Sequence, residues 1–83
     1  MIRDNSDLYA TIKALINQLS EAGEQQWSSA LEDALSISTV PGEILGETRL
    51  QLQKLQGSSI PSLLGVDSKV DESLVYLDQI LGL

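Results

Sequence analysis

The 83-residue chain contains neither cysteine nor histidine. Those two absences exclude disulfides, Cys or His metal ligands, thiol nucleophiles, Ser–His–Asp triads and imidazole proton shuttles. Basic residues are scarce: five Lys and Arg stand against twelve Asp and Glu, for a net charge of −7. A chain of this sign does not bind nucleic acid by neutralising phosphates. Anionic lipid repels it for the same reason. Phe is missing, and one Trp and two Tyr are the only aromatics. No apolar run approaches the roughly 20 residues that cross a bilayer. Met1 to Asp7 are polar and acidic, without the basic and apolar regions of a signal peptide. Lipidation signals, which need Cys or Gly at set positions, are lacking. The expected address is therefore the cytoplasm, with no membrane contact. Glycine-rich phosphate loops of the Walker or G-x-G-x-x-G type are also missing. No cofactor and no metal are expected.

What the chain has is aliphatic. Hydrophobic residues make up 42% of it, too many for a disordered chain and ordinary for a compact fold. A domain near 80 residues draws only a thin stability margin from its core. Without disulfides or Cys/His metal sites, it must pack helices well or bury a face against a second chain. The expected fold class is all-α: a small bundle of four helices with short connections, which homodimerisation would complete.

The apolar spacing is helical nearly throughout. Leu8, Ile12, Leu15, Ile16 and Leu19 form one stripe with Tyr9 on its edge, predicting a helix over about 7–22. Asn5, Ser6 or Asp7 can cap its start, and Gly23 can end it. Trp27, Ala30, Leu31, Ala34 and Leu35 give a second amphipathic helix over 25–36, broken by Ser36-Ile37-Ser38-Thr39. Pro41 suits the first turn of a third helix over 41–56, with Ser38 or Thr39 as cap and Ile44, Leu45, Thr48, Leu52 and Leu55 on its buried face. Residues 58–65 form a connector whose apolar members can lie over the core as a single turn. Val70, Leu74, Leu77 and Leu81 define a last helix over 67–81, where Ser68 and Asp71 approximate a capping box. No segment shows sustained period-two alternation. The whole chain reads as a single helical domain.

Charge is the main functional clue. Between Lys13 and Arg49 there is no basic residue, while Glu21, Glu24, Glu32, Asp33, Glu43 and Glu47 all fall there. Such a field attracts a basic partner and raises its association rate. An acidic face also keeps a small protein soluble. Trp27 can anchor the core or an interface. Leu50, Val75 and Tyr76 fall off the buried stripes, and would mark a contact patch if they meet in space. The candidate interaction surface is therefore Glu24, Trp27, Glu32, Asp33, Glu43, Glu47, Leu50, Val75 and Tyr76.

No arrangement of residues supports catalysis. The pairs Glu21/Glu24, Glu32/Asp33 and Glu43/Glu47 lie on or near polar faces, where both members ionise in water rather than holding the displaced pKa that acid–base work needs. Asp67, Lys69 and Asp71 have the opening spacing of an EF-hand, but Lys69 and Glu72 are wrong for it. Gly42 and Gly46 form a lone G-x-x-x-G, which would permit a close helix approach.

Leu64-Gly65-Val66-Asp67-Ser68 resembles the phosphopantetheine attachment site of acyl carrier proteins, which implies modification at Ser68. Lys69 stands where that family has Leu, and only fifteen residues follow Ser68, where the family has two more helical elements. The order Leu8-Tyr9, Ala22-Gly23-Glu24, Trp27, Leu31-Glu32, Leu45-Gly46-Glu47-x-Arg49 and Leu77-Asp78 is similar to a family of small uncharacterised bacterial proteins. That resemblance implies a bacterial, stand-alone helical domain and brings no activity with it. The expectation is a non-enzymatic protein–protein interaction module, binding itself or a basic protein, for instance as an inhibitor, antitoxin or immunity protein. An acyl-carrier-like module or a purely structural homo-oligomer are the other readings.

Overall fold

The computed structural model describes residues 2–83. It is all-helical, and no strand occurs among the described residues. In chain order the elements are α1 (Asn5–Glu21), α2 (Gln25–Leu35), α3 (Pro41–Gln56), the short α4 (Ile60–Leu64) and α5 (Asp67–Leu81). The connector expected to form a single turn is thus a five-residue helix, opened by Pro61 near its start, where a missing N–H costs nothing.

The local signals explain where the helices begin and end, with three corrections. Asp4 caps α1, its carboxylate accepting from the Asp7 N–H at 2.9 Å, so the cap lies one residue before the three expected candidates. Val40, rather than Ser38 or Thr39, occupies the cap position of α3. It provides no side-chain bond to the helix, and Ser38 Oγ instead accepts from the Val40 N–H at 3.0 Å. Ser68 is not a cap either. The chain turns at Gly65, whose φ of +69° is left-handed and cheap only for glycine. This turn delivers Val66 into the core at the cap position, and puts Ser68 inside the first turn of α5. Gly23 turns the chain between α1 and α2 in the same left-handed region.

α1 packs against α2 and α5, and α3 packs against the same two, so the four longer helices are neighbours in a ring. α4 bridges α3 and α5. The centre is filled by Leu8, Ile12, Leu15 and Leu19 of α1, Leu31 of α2, Leu52 and Leu55 of α3, and Val66, Val70 and Leu77 around α5. Each fully buried aliphatic side chain of this size contributes about 1.5–3 kcal/mol relative to exposure. Two polar clamps tie α3 to α5: Arg49 Nε donates to Asp78 Oδ1 at 2.7 Å, and Gln56 Nε2 donates to Asp71 Oδ1 at 2.8 Å. The partners run in opposite order along the two helices, which makes them antiparallel. Tyr76 Oη donates to Asn5 Oδ1, joining α5 to the start of α1.

Three polar side chains are buried among these helices. Ser28 and Ser73 donate back to the carbonyls of Gln25 and Lys69. Thr48 Oγ1 finds no partner. Gly42 and Gly46 do not mediate a close helix approach. A Cβ built on either would meet nothing within 4 Å, because both are exposed and point away from the neighbouring helices.

Candidate functional site

The candidate surface residues separate into three places. The acids Glu32 and Asp33 are exposed on α2, and Glu43 is exposed in the first turn of α3. There a carboxylate complements the positive end of the helix. Glu24 and Glu47 are half-buried. Glu24 precedes α2 without forming a side-chain cap, and Glu47 Oε1 accepts from Gln51 Nε2 at 3.0 Å. Trp27 is also half-buried, lying against the edge of the core, and is neither fully interior nor free. The ion pairs Arg3–Asp7 and Arg49–Asp78 use acids outside the Lys13–Arg49 interval. The acids inside that interval form no ion pair among the described residues.

Val75 and Tyr76 do come together. They line an open groove of about 320 Å³ with Ile2, Asp71, Glu72 and Gln79. Burial of its ring edge, with Asp4 and Asp7 nearby, raises the Tyr76 phenol above its ordinary value. Leu50 does not join them. It projects from the face of α3 opposite Leu52 and Leu55, 42% exposed.

The residues that sequence reasoning missed lie at the junction of α1, α2 and α3. Tyr9, Lys13, Leu35 and Ile44 line one open depression of about 300 Å³. A second, of about 440 Å³, shares Lys13 and Leu35 and continues along α1 through Ile16 and Asn17 to Glu32 and Ser36. The loop between α2 and α3 exposes Ile37 and Val40, at 56% and 51%. Periodicity assigned Leu35 and Ile44 to the interior, yet both are half-buried, because α2 ends at Leu35 and the chain leaves the core there. The available signal was the pair Ile37 and Val40 in an otherwise polar linker.

At the start of α1, Arg3 Nε donates to Asp7 Oδ2 at 3.0 Å. That side-chain bond, aided by the Arg3 backbone N–H, holds the Asp7 carboxyl below the usual carboxylate value. Ser68 is exposed in the first turn of α5. Its neighbour Asp67 accepts long hydrogen bonds from Ser62 Oγ, at 3.4 and 3.5 Å. Among the described residues no three carboxylates converge as a metal cage, and no helix is long and apolar enough to cross a membrane. The chain matches no family model, no curated protein and no solved structure.

Proposed function

We propose that the chain is a protein-binding module that receives a basic partner on the surface of α2, the α2–α3 loop and the start of α3. The four longer helices act as a bundle that holds this surface rigid. The role is that of an inhibitor, antitoxin or immunity-type protein, which acts by covering a cationic surface and needs no chemistry of its own.

One observation carries the reading. Glu32 and Asp33 on α2 and Glu43 on α3 are exposed, form no ion pair among the described residues, and flank in the chain the loop that exposes Ile37 and Val40. Single-sign charge steers encounter, and adjacent apolar surface supplies affinity once water is expelled.

Affinity purification from the cells that make the protein, at low and high salt, tests this. The expected result is a basic protein that elutes as salt rises and is lost when Glu32→Gln, Asp33→Asn and Glu43→Gln are combined. A recovered partner that is itself acidic, or that ignores the neutralised variant, refutes the reading.

A further inference from the structure

We propose that the outer face of α3 is a self-association surface, on which two copies of the chain pair their α3 helices antiparallel about a two-fold axis. Leu50 of each copy lies over Gly46 of the other, and Glu43 of each meets Lys54 of the other. This pairing needs no basic partner and shares only Glu43 with the surface proposed for one.

The face is defined by five exposed residues: Glu43, Gly46, Leu50, Gln53 and Lys54. At about 100° per residue they share one arc of about 100°, on the side of α3 opposite the buried Leu45, Thr48, Leu52 and Leu55. Within one chain this face has no account of its glycine. Gly46 sits mid-helix, where glycine is destabilising relative to alanine. Its φ is not left-handed, and a Cβ built on it would meet nothing within 4 Å. One turn on, Leu50 is 42% exposed. A bare backbone beside a projecting leucine is a hole beside a knob, and each fits the other when two such helices run in opposite directions.

Charge complementarity selects a second copy as the occupant. Glu43 and Lys54 are separated by about three turns, so they lie on the same edge of α3; Arg49 and Gln56, which bond to α5, lie on the other edge. Neither Glu43 nor Lys54 forms an ion pair among the described residues. A two-fold axis perpendicular to both helices keeps each edge on its own side and reverses the order along it. With the axis level with Thr48, Leu50 comes level with Gly46 of the second copy. Glu43 and Lys54, each about 8–9 Å from the axis, come level with each other twice. The same register thus satisfies the apolar contact and both charge pairs. Among the four longer helices α3 alone carries no net charge, with Glu43 and Glu47 against Arg49 and Lys54. α1, α2 and α5 are each negative, so two chains of net −7 meet with least repulsion along α3. A contact of one helix face, about 18 Å long from Glu43 to Lys54, belongs to the small, transient class below about 1,200 Å². Association is therefore weak and depends on concentration.

The test is sedimentation equilibrium of the full chain alone, from ~10 μM to ~1 mM. The expected mass rises with concentration from that of one chain toward that of two. Lys54→Glu, which sets like charges opposite each other, should weaken the dimer at least ~10-fold. Adding Glu43→Lys to it exchanges the two charges and should restore association to within ~3-fold of the parent. Gly46→Gln fills the hole and should leave a monomer at every concentration. That variant should also melt at or above the parent's temperature in dilute solution, because it removes a mid-helix glycine where a side chain has room. All three positions are exposed, so the far-UV spectrum should not change.

A parent chain that stays monomeric to the highest concentration overturns the pairing, whatever other protein binds α3. A dimer that tolerates Gly46→Gln but is lost in Ile37→Asp or Val75→Glu forms through another face and overturns it equally. A dimer weakened by Lys54→Glu and weakened further by the added Glu43→Lys overturns the antiparallel register. The basic-partner reading survives each of these results, because the chain is measured alone.

Discussion

Replacing Thr48 by valine should stabilise the protein. Thr48 lies inside α3 at 1% exposure, and its hydroxyl oxygen is buried without a hydrogen-bond partner. A buried hydroxyl left unsatisfied costs about 1–3 kcal/mol in lost hydration. Valine keeps the branched shape, has nearly the same helix propensity, and exchanges that hydroxyl for a methyl group that needs no hydrogen bond. We take ~1 kcal/mol as the net gain, at the low end of that range, because a methyl is slightly larger and the core must adjust. At about 2.1 cal/mol/K per residue, unfolding 83 residues carries an entropy of ~0.17 kcal/mol/K near the midpoint. The gain therefore appears as a rise in Tm of ~6 °C. Calorimetry or circular dichroism melting of Thr48→Val beside Thr48→Ser would measure it. Serine retains the hydroxyl and loses the methyl, so it should melt below the parent while valine melts above it. A valine variant that melts several degrees below the parent would refute the reasoning. It would mean that the hydroxyl is bonded in solution, for instance to the Ile44 carbonyl one turn back.

Three further outcomes are expected. Leu77→Ala, at a fully buried core position of α5, should cost about 3 kcal/mol through lost transfer energy and the cavity left behind. That is a large share of the ~4–12 kcal/mol expected for a domain of this length, and chemical denaturation would read it directly. Asp7 has a folded pKa below its unfolded value of about 4. Its contribution is therefore present above that pH and lost as pH falls through the folded value. The melting temperatures of parent and Asp7→Asn should differ at neutral pH and converge on acidification; a gap independent of pH would contradict this. Incubation with a phosphopantetheinyl transferase should leave the intact mass unchanged, and a mass gain abolished by Ser68→Ala would restore the acyl-carrier reading.

How much the sequence revealed can be judged from particular residues. The stripes Leu8–Ile12–Leu15–Leu19 and Val70–Leu74–Leu77 repeat every three or four positions, and both are buried in the structure. The turn at Gly23 was readable because a left-handed residue is almost always glycine, whereas the left-handed turn at Gly65 emerged only in the structure. The caps were less readable: Asp4, Asn5, Ser6 and Asp7 are all competent, and only the path of the chain into α1 selects Asp4. Val66 falls between the connector read over 58–65 and the helix read over 67–81 and was given no role, although it is fully buried at the cap position of α5. The candidate surface was half visible. Its acids stand out in a stretch without Lys or Arg, whereas Leu35 and Ile44 carry an interior periodicity and line an open trough instead.

The sequence by itself determined the helical class, the uncompensated acidity between Lys13 and Arg49, and the absence of thiol and imidazole chemistry. Those properties depend on residue type and on neighbours within one or two turns. Tertiary structure alone decided that α3 pairs with α5 through Arg49–Asp78, that Val75 and Tyr76 meet Ile2 while Leu50 stands apart, and that Tyr9 joins Leu35 and Ile44. The physical reason is distance along the chain. A helical period says which side of a rod is apolar, but how far the neighbouring rods cover that side depends on how all of them pack together.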